Sequence, residues 1–335
     1  TAIVQSSLHG YVTPTTAPAP LTPKDPRLPP GSSPLLRGVE KHGIITDDFP
    51  RDVLNRTTDR LRTFLLVNCT PHRTVQEPVL KDQQVVCGDP NLPFCDPLNW
   101  NSSEGYPWYA MRPPHATNKK WMFDLEETDS GLLLRGMHKT LREHIAHKRS
   151  ERAKGKCQPT IFTDCLKDAR IPVEKVPIPG KTRIFSMSPI DYTLEFRKFL
   201  YDFISSYQLE RFACSNMVGI NVFSDEWDVL ARTLLRHKNI CTGDYSNFGP
   251  GLNEEIAKRC CDVIIDWYDY YFPNSCEEYK NVRQCLLAEL INALHLCRDV
   301  VYRVGAGIPS GSPITVVLNS LVNTFYIYAA WDMFC

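Results

Sequence analysis

Two short segments carry residue types suited to chemistry on a phosphate: Cys241-Thr242-Gly243-Asp244-Tyr245-Ser246-Asn247-Phe248-Gly249-Pro250-Gly251, with one isolated acid, and the glycine-hinged stretch from Gly305 to Asn323. Asp244 closes Asn239 to Asp244, a run rich in strand formers, and a turn from Ser246 to Gly251 follows. The pattern predicts a strand that ends on a carboxylate, able to coordinate a hard cation together with a substrate phosphate. Two-metal phosphoryl transfer places its cations about 3.5 to 4 Å apart and draws carboxylates from more than one element. A lone aspartate at a strand end is more often a turn cap than a metal ligand.

The second segment narrows the choice. Gly305, Gly307 and Gly311 permit backbone conformations and close approach that other residues cannot reach, and Ser312 with Pro313 suits the start of a helix. From there Thr315, Asn319 and Asn323 recur every four residues and share a stripe, while Val316, Val317, Leu321, Val322 and Phe325 cover the other faces. Polar groups within an apolar helix need hydrogen-bond partners, and ribose hydroxyls would serve.

A third constellation spans Leu166 to Phe185. Lys167, Arg170, Lys175, Lys181 and Arg183 alternate with strand formers, and Pro172, Pro177 and Pro179 keep the stretch extended. Such a row of cations, with arginines able to fork onto phosphate oxygens, suits a channel that neutralises a triphosphate. An exposed basic hairpin has the same composition.

The elements that must position these groups follow from periodicity. Helices are predicted over 47–66, 132–154, 192–210, 225–237 and 277–300. Another starts at Asn253 as N-cap, with Glu254 and Glu255 in its first turn and Ile256, Cys260, Val263, Ile264, Trp267 and Tyr271 along one face. Residues 68–120 are turn-rich. Eight prolines between Pro14 and Pro34 make residues 12–34 an extended segment, either a flexible linker or a strap over another part of the fold.

Composition sets bounds without naming a partner. A chain of 335 residues with 43% apolar and 23% charged residues can bury a large core and exceeds one small module. Lys+Arg and Asp+Glu both number 38, so any attraction for a polyanion must come from local distribution, and from Lys139 to Arg183 the basic residues outweigh the acids. Thirteen cysteines, an odd number with no C-x-x-C pair, argue against a disulfide framework and a zinc module, and favour a reducing compartment. The sequons at Asn55, Asn68 and Asn101 carry no weight without a signal peptide. No apolar run reaches the about 18 to 20 residues that cross a bilayer. The first residue is Thr1 and not a methionine, as expected of a processed product or a fragment.

Taken in order, the basic K-D-x-R…E-K-V…G-K-T-R stretch, D-Y-S-N-F-G and P-S-G-S-P-x-T-x-x-x-N resemble motifs F, A and B of the RNA-dependent RNA polymerases of picorna-like positive-strand RNA viruses. Ser103 to Trp108 and Ser33 to Val39 resemble finger segments of that family, and D-Y-S-N-F-G-P-G leans toward iflaviruses and dicistroviruses. The resemblance implies an α+β right-hand fold: fingers over 1–196, palm over 197–251, a finger insertion over 252–304 and palm again over 305–335. It implies that Asp244 is a catalytic ligand to Mg2+ or Mn2+, and that Lys167, Arg170, Lys175, Lys181 and Arg183 line the nucleotide channel, with Arg183 on the triphosphate. Ser310, Gly311, Thr315 and Asn319 match the residues that sense the ribose and hold template and primer. The implied partners are RNA template and primer, nucleoside triphosphates, a protein primer and other viral replication proteins. A polyprotein origin and replication complexes on host cytoplasmic membranes complete the expectation.

The sequence departs from the family pattern at three places. The motif F arginine stands at Arg170, whereas an ungapped alignment to the family pattern would place it one position on, at Ile171. Gly249 occupies the position five residues after Asp244 where many relatives carry a second aspartate that recognises the 2′-hydroxyl. The Gly-Asp-Asp hairpin of motif C is absent from the sequence, along with motifs D and E and the thumb, so the chain is expected to be incomplete and inactive by itself. A noncatalytic virus-derived remnant that binds RNA or protein is the alternative. A reverse transcriptase is weaker, because Thr315 and Asn319 stand where a bulky residue would block the 2′-hydroxyl.

Overall fold

The structure, a computed structural model, describes residues 1–129, 131–305 and 307–334; Ala306 in the glycine segment and the thirteenth cysteine, Cys335, lie outside the described residues. The described helices are α1 (Pro34–Val39), α2 (Arg51–Asn68), α3 (Asp82–Cys87), α4 (Lys139–Ala153), α5 (Ile190–Leu209), α6 (Asp225–Leu234), α7 (Glu254–Tyr271), α8 (Glu277–Ile291) and α9 (Thr315–Phe334). The strands are β1 (Thr16–Pro18), β2 (Phe123–Thr128), β3 (Gly131–Met137), β4 (Ile161–Leu166), β5 (Arg170–Pro172), β6 (Ile184–Met187), β7 (Leu294–Cys297) and β8 (Val300–Arg303).

Helix α5 is the centre of the core and is buried on nearly every face. Its apolar residues, such as Phe196, Phe199, Leu200 and Phe203, pack against α4, α7 and α8. The buried charges on this helix are each satisfied, as a low-dielectric site requires. Asp191 takes Lys148 Nζ at 2.9 Å and Trp108 Nε1 at 2.7 Å. Glu195 is forked by Arg149 and Asp202 by Arg73, while Arg197 Nε donates to the Val85 carbonyl. Beside it α2, α7 and α9 pack on one another. α7 starts as its sequence dictates, with the Asn253 side chain accepting from Ile256 N at 3.1 Å, and buries Ile256, Cys260, Val263, Ile264 and Trp267.

The four-stranded sheet runs β6-β4-β7-β8. β4 and β7 are parallel, and the outer pairs are antiparallel. Phe162 of β4 meets Tyr192 of α5 edge-on, which seats the sheet on the central helix. β1 pairs with β5, so the proline-rich segment is a strap laid along the basic stretch. Ala19 N donates to the Ala169 carbonyl and Thr182 Oγ1 to the Pro20 carbonyl, each at 2.9 Å, fixing the strap just past its strand.

Three expected elements differ. Gly131 to Met137 is a strand paired with β2, and the helix begins only at Lys139, because the leucines of this run find a cross-strand partner. The helix expected over 277–300 stops at Ile291, and Leu294 to Arg303 form the β7–β8 hairpin, turning at Arg298 with φ +58°. Asn239 to Asp244 is not a strand: no backbone among the described residues forms a ladder with it. Strand-forming side chains do not make a strand without that partner. The whole stretch from Met217 to Gly251 buries no residue, and α6 within it leaves Trp227, Leu234 and neighbouring Leu235 exposed.

Candidate nucleotide-binding site

The turn after α1, the basic stretch, the turn after Asp244 and the glycine segment line a cavity of about 850 Å³. Lys167, Arg170, Lys175, Lys181 and Arg183 all line it, and so do Ser310 and the Ser246–Pro250 turn that follows Asp244. Among the described residues none of these cations pairs with a carboxylate; Arg170 instead reaches Thr16, through its side-chain oxygen at 2.9 Å and its carbonyl at 2.5 Å. Cations left unpaired around one concavity form an anion site by default, since nothing inside the protein neutralises them. The local fold explains their convergence. Lys167 N donates to the Arg183 carbonyl at 2.8 Å, closing the β4–β6 excursion on itself, and Pro172 and the Gly180 turn at φ +82° shape the loop between.

Arg170 and Ile171 differ in burial. Ile171 turns into a small apolar cluster with Ala19 and Val176, while Arg170 keeps its guanidinium exposed beside the cavity. Both residues line the cavity, the arginine exposed and the isoleucine buried.

Sequence reasoning missed two wall residues, Lys41 and His42, in the turn after α1. Lys41 Nζ bonds the Gly180 carbonyl; burial first, and then Lys181 nearby, push its ammonium below the usual lysine range. His42 leaves Nδ1 buried without a partner among the described residues, its ring 5.6 Å from that of His295, and burial lowers its basicity. No local pattern marks either residue, because their partners lie more than a hundred positions along the chain.

The glycine segment meets this cavity through β6. Ser310 Oγ accepts from Ser186 N at 3.1 Å, and a Cβ on Gly311 would stand 2.1 Å from the Ser186 carbonyl oxygen. Gly307 has φ +88°, and its Cβ would fall 2.9 Å from the Gly249 carbonyl, so the glycine segment and the turn after Asp244 touch. The two segments singled out by residue type are therefore neighbours in space.

Thr315, Asn319 and Asn323 lie half-buried along α9. Thr315 Oγ1 is spent locally on the Pro309 and Ser312 carbonyls, whereas Asn319 and Asn323 have no side-chain partner among the described residues. The helix starts at Thr315, two residues later than Ser312 and Pro313 predict. Gly311, Thr315 and Asn319 do not line the cavity, and neither does Asp244, which is exposed just ahead of the turn that does.

The donor set does not complete a metal centre. Among the described residues no three His, Cys, Asp or Glu side chains cluster to hold an ion. No helix of the described residues is long and apolar enough to cross a membrane.

Residues 50–334 match the family model described as viral RNA-dependent RNA polymerase. The chain belongs to this family. It is 42% identical to the genome polyprotein of Deformed wing virus over 334 residues, covering 99% of the chain and 11% of that polyprotein. The replicase polyprotein of Drosophila C virus is 28% identical over 342 residues, with 98% of the chain and 19% of that protein covered. The Sicinivirus 3Dpol RNA-dependent RNA polymerase shares the fold at a TM-score of 0.74 and 21% identity, covering 98% of this chain and 62% of that one. The α+β fold and picorna-like membership expected from the motifs both hold. Polymerases of this family generally use divalent metal ions.

Proposed function

We propose that the chain supplies the nucleotide-facing part of a polymerase that extends an RNA 3′ end on an RNA template during viral genome replication. What carries the reading is the cavity lined by five cations without carboxylate partners and shared with Ser310 and the Gly249 turn. A nucleoside triphosphate brings the charge this cavity lacks. Lys167, Lys175, Lys181 and Arg183 take the phosphates, Arg170 does so while braced on the strap, and Ser310, Gly311, Thr315 and Asn319 position the ribose and the template–primer. With Gly249 in place of an acid, ribose recognition falls to Thr315 and Asn319.

Asp244 contributes one carboxylate for Mg2+ or Mn2+, and the remaining ligands come from a motif C hairpin that this sequence does not contain. The proposed division is fingers over 1–196 and 252–304 and palm over 197–251 and 305–335. The working protein acts with template RNA, a protein primer and other replication proteins on host cytoplasmic membranes.

Primer extension tests the reading. The 335 residues alone should not extend a primer, and a longer polymerase that includes a Gly-Asp-Asp hairpin and thumb should do so in a metal-dependent way. Metal-dependent synthesis by the 335 residues alone, or none by the longer protein, overturns it.

A further inference from the structure

The sheet beside the cavity holds a buried polar cluster that the proposed nucleotide contacts leave unused. Its centre is Asp164 of β4, 4% exposed. The carboxylate accepts from Ser186 Oγ at 2.7 Å and Tyr302 OH at 2.5 Å, and His295 Nδ1 stands 3.0 Å away. One residue from each strand thus converges on a single charge. Register explains the convergence: Asp164 opposes Ser186 and His295 opposes Tyr302, so all four side chains share one face. Burial alone would raise the pKa of Asp164, but the bonds from His295, Tyr302 and Ser186 outweigh it and hold the carboxyl below its usual range.

Two of these partners bracket the glycine segment. β8, which carries Tyr302, runs directly into it, and Ser186 receives it at the far end. β6 is an edge strand, so the Ser186 N–H and carbonyl have no strand beyond them. Ser310 Oγ takes that N–H, and Gly311 closes over that carbonyl. The Ser186 hydroxyl points the other way, to Asp164.

We propose that Asp164 is a positioning residue for the nucleotide site, holding the Ser310 segment in place by anchoring Ser186 at one end and Tyr302 at the other. This role rests on the reading above that Ser310 faces the nucleotide. A carboxylate suits the task because charge-assisted bonds are short and directional, and one carboxylate can accept several of them. An apolar residue would seat the strands equally well but would fix neither hydroxyl.

Amide hydrogen exchange on the full chain tests the anchoring directly, in Asp164→Asn and in Ser186→Ala, which spares the carboxylate. Exchange at Ser186 and at residues 307, 308 and 310–312 should quicken by about tenfold, as loss of one charged hydrogen bond implies, with β4 and β7 protected as before. In the longer polymerase, Asp164→Asn should raise the nucleotide KM by a similar factor while kcat changes less. Tyr302→Phe keeps the ring against His295 and removes only the hydroxyl, so it serves where Asp164→Asn fails to fold. Unchanged exchange in the glycine segment, exchange quickened equally across the sheet, or an unchanged KM in a folded variant overturns the proposal. A parent polymerase that fails to extend a primer sinks the reading of the site, and the exchange result still decides the anchoring.

Discussion

Gly311→Ala separates close packing from mere loop freedom. The new Cβ would sit 2.1 Å from the Ser186 oxygen, 3.2 Å from its carbonyl carbon and 3.3 Å from Ser188 N, all backbone atoms of or beside an edge strand. Relief needs a displacement of roughly 1 Å, which would stretch the 3.1 Å Ser310–Ser186 bond past hydrogen-bonding range. Overpacking of this kind costs about 1 to 3 kcal/mol, and the lost bond adds about 1 kcal/mol. Gly305→Ala is the control from the same segment. Its Cβ meets nothing nearer than a Glu254 carboxylate oxygen at 3.5 Å, the far end of a flexible side chain, so the change should stay within about 0.5 kcal/mol. Denaturant unfolding followed by circular dichroism, compared at constant m-value, reads the difference. Equal midpoints for Gly311→Ala and Gly305→Ala would refute the claim that the segment is seated on β6.

Removing the cavity cations should act on phosphate binding more than on folding. Lys181→Ala and Arg183→Ala should each weaken triphosphate binding by about tenfold at low salt, and the deficit should shrink as salt screens the site; titration with a fluorescent nucleotide at rising NaCl checks it. In the longer polymerase, Asp244→Asn should abolish primer extension and leave RNA binding largely intact, because it removes a proposed metal ligand and no channel cation; near-normal extension would contradict the assignment. Glu104 gives a pH test remote from the site. Burial would raise its pKa, but Arg112 and Trp121 bonds pull it down to about 2 from 4.5. Its contribution to stability is therefore full above pH 4.5 and is lost as the pH falls toward about 2. The stability gap between the parent and Glu104→Gln, read by urea unfolding, should close over that same window.

Helices with strong local signals were legible in the sequence: the Asn253 cap and apolar stripe mark α7 within a residue, and α5 and α2 lie close to their predicted spans. The elements that misled depend on distant partners. Val300, Val301 and Tyr302 are good strand formers, but the turn joining them to β7 uses Arg298 at φ +58° where glycine or asparagine would have advertised a hairpin. At Asn239 to Asp244 the composition is right and the ladder is missing. The same contrast runs through the site. Spacing exposed the five basic-stretch cations and Ser310, yet Lys41, His42 and the Asp164 cluster follow from pairings across 139 and 131 positions that no local window contains.

The neutral overall charge conceals how the site obtains its field. Elsewhere on the surface cations sit beside acids at helical spacing, as in Arg56–Asp52, Arg259–Glu255 and Lys258–Asp262, and such exposed pairs contribute little to stability. Around the cavity the chain does the opposite. Asp168 follows Lys167 directly, yet its carboxylate accepts from Thr1 Oγ1 and Ala2 N, each at 2.6 Å, and so turns to the amino-terminal residues and leaves the lysine uncompensated. The Glu174 next to Lys175 makes no ion pair among the described residues. Equal numbers of acids and bases thus yield a one-signed concavity, because the acids near it are diverted or left apart. Whole-chain charge cannot reveal such a site, and the placement of a few carboxylates decides it.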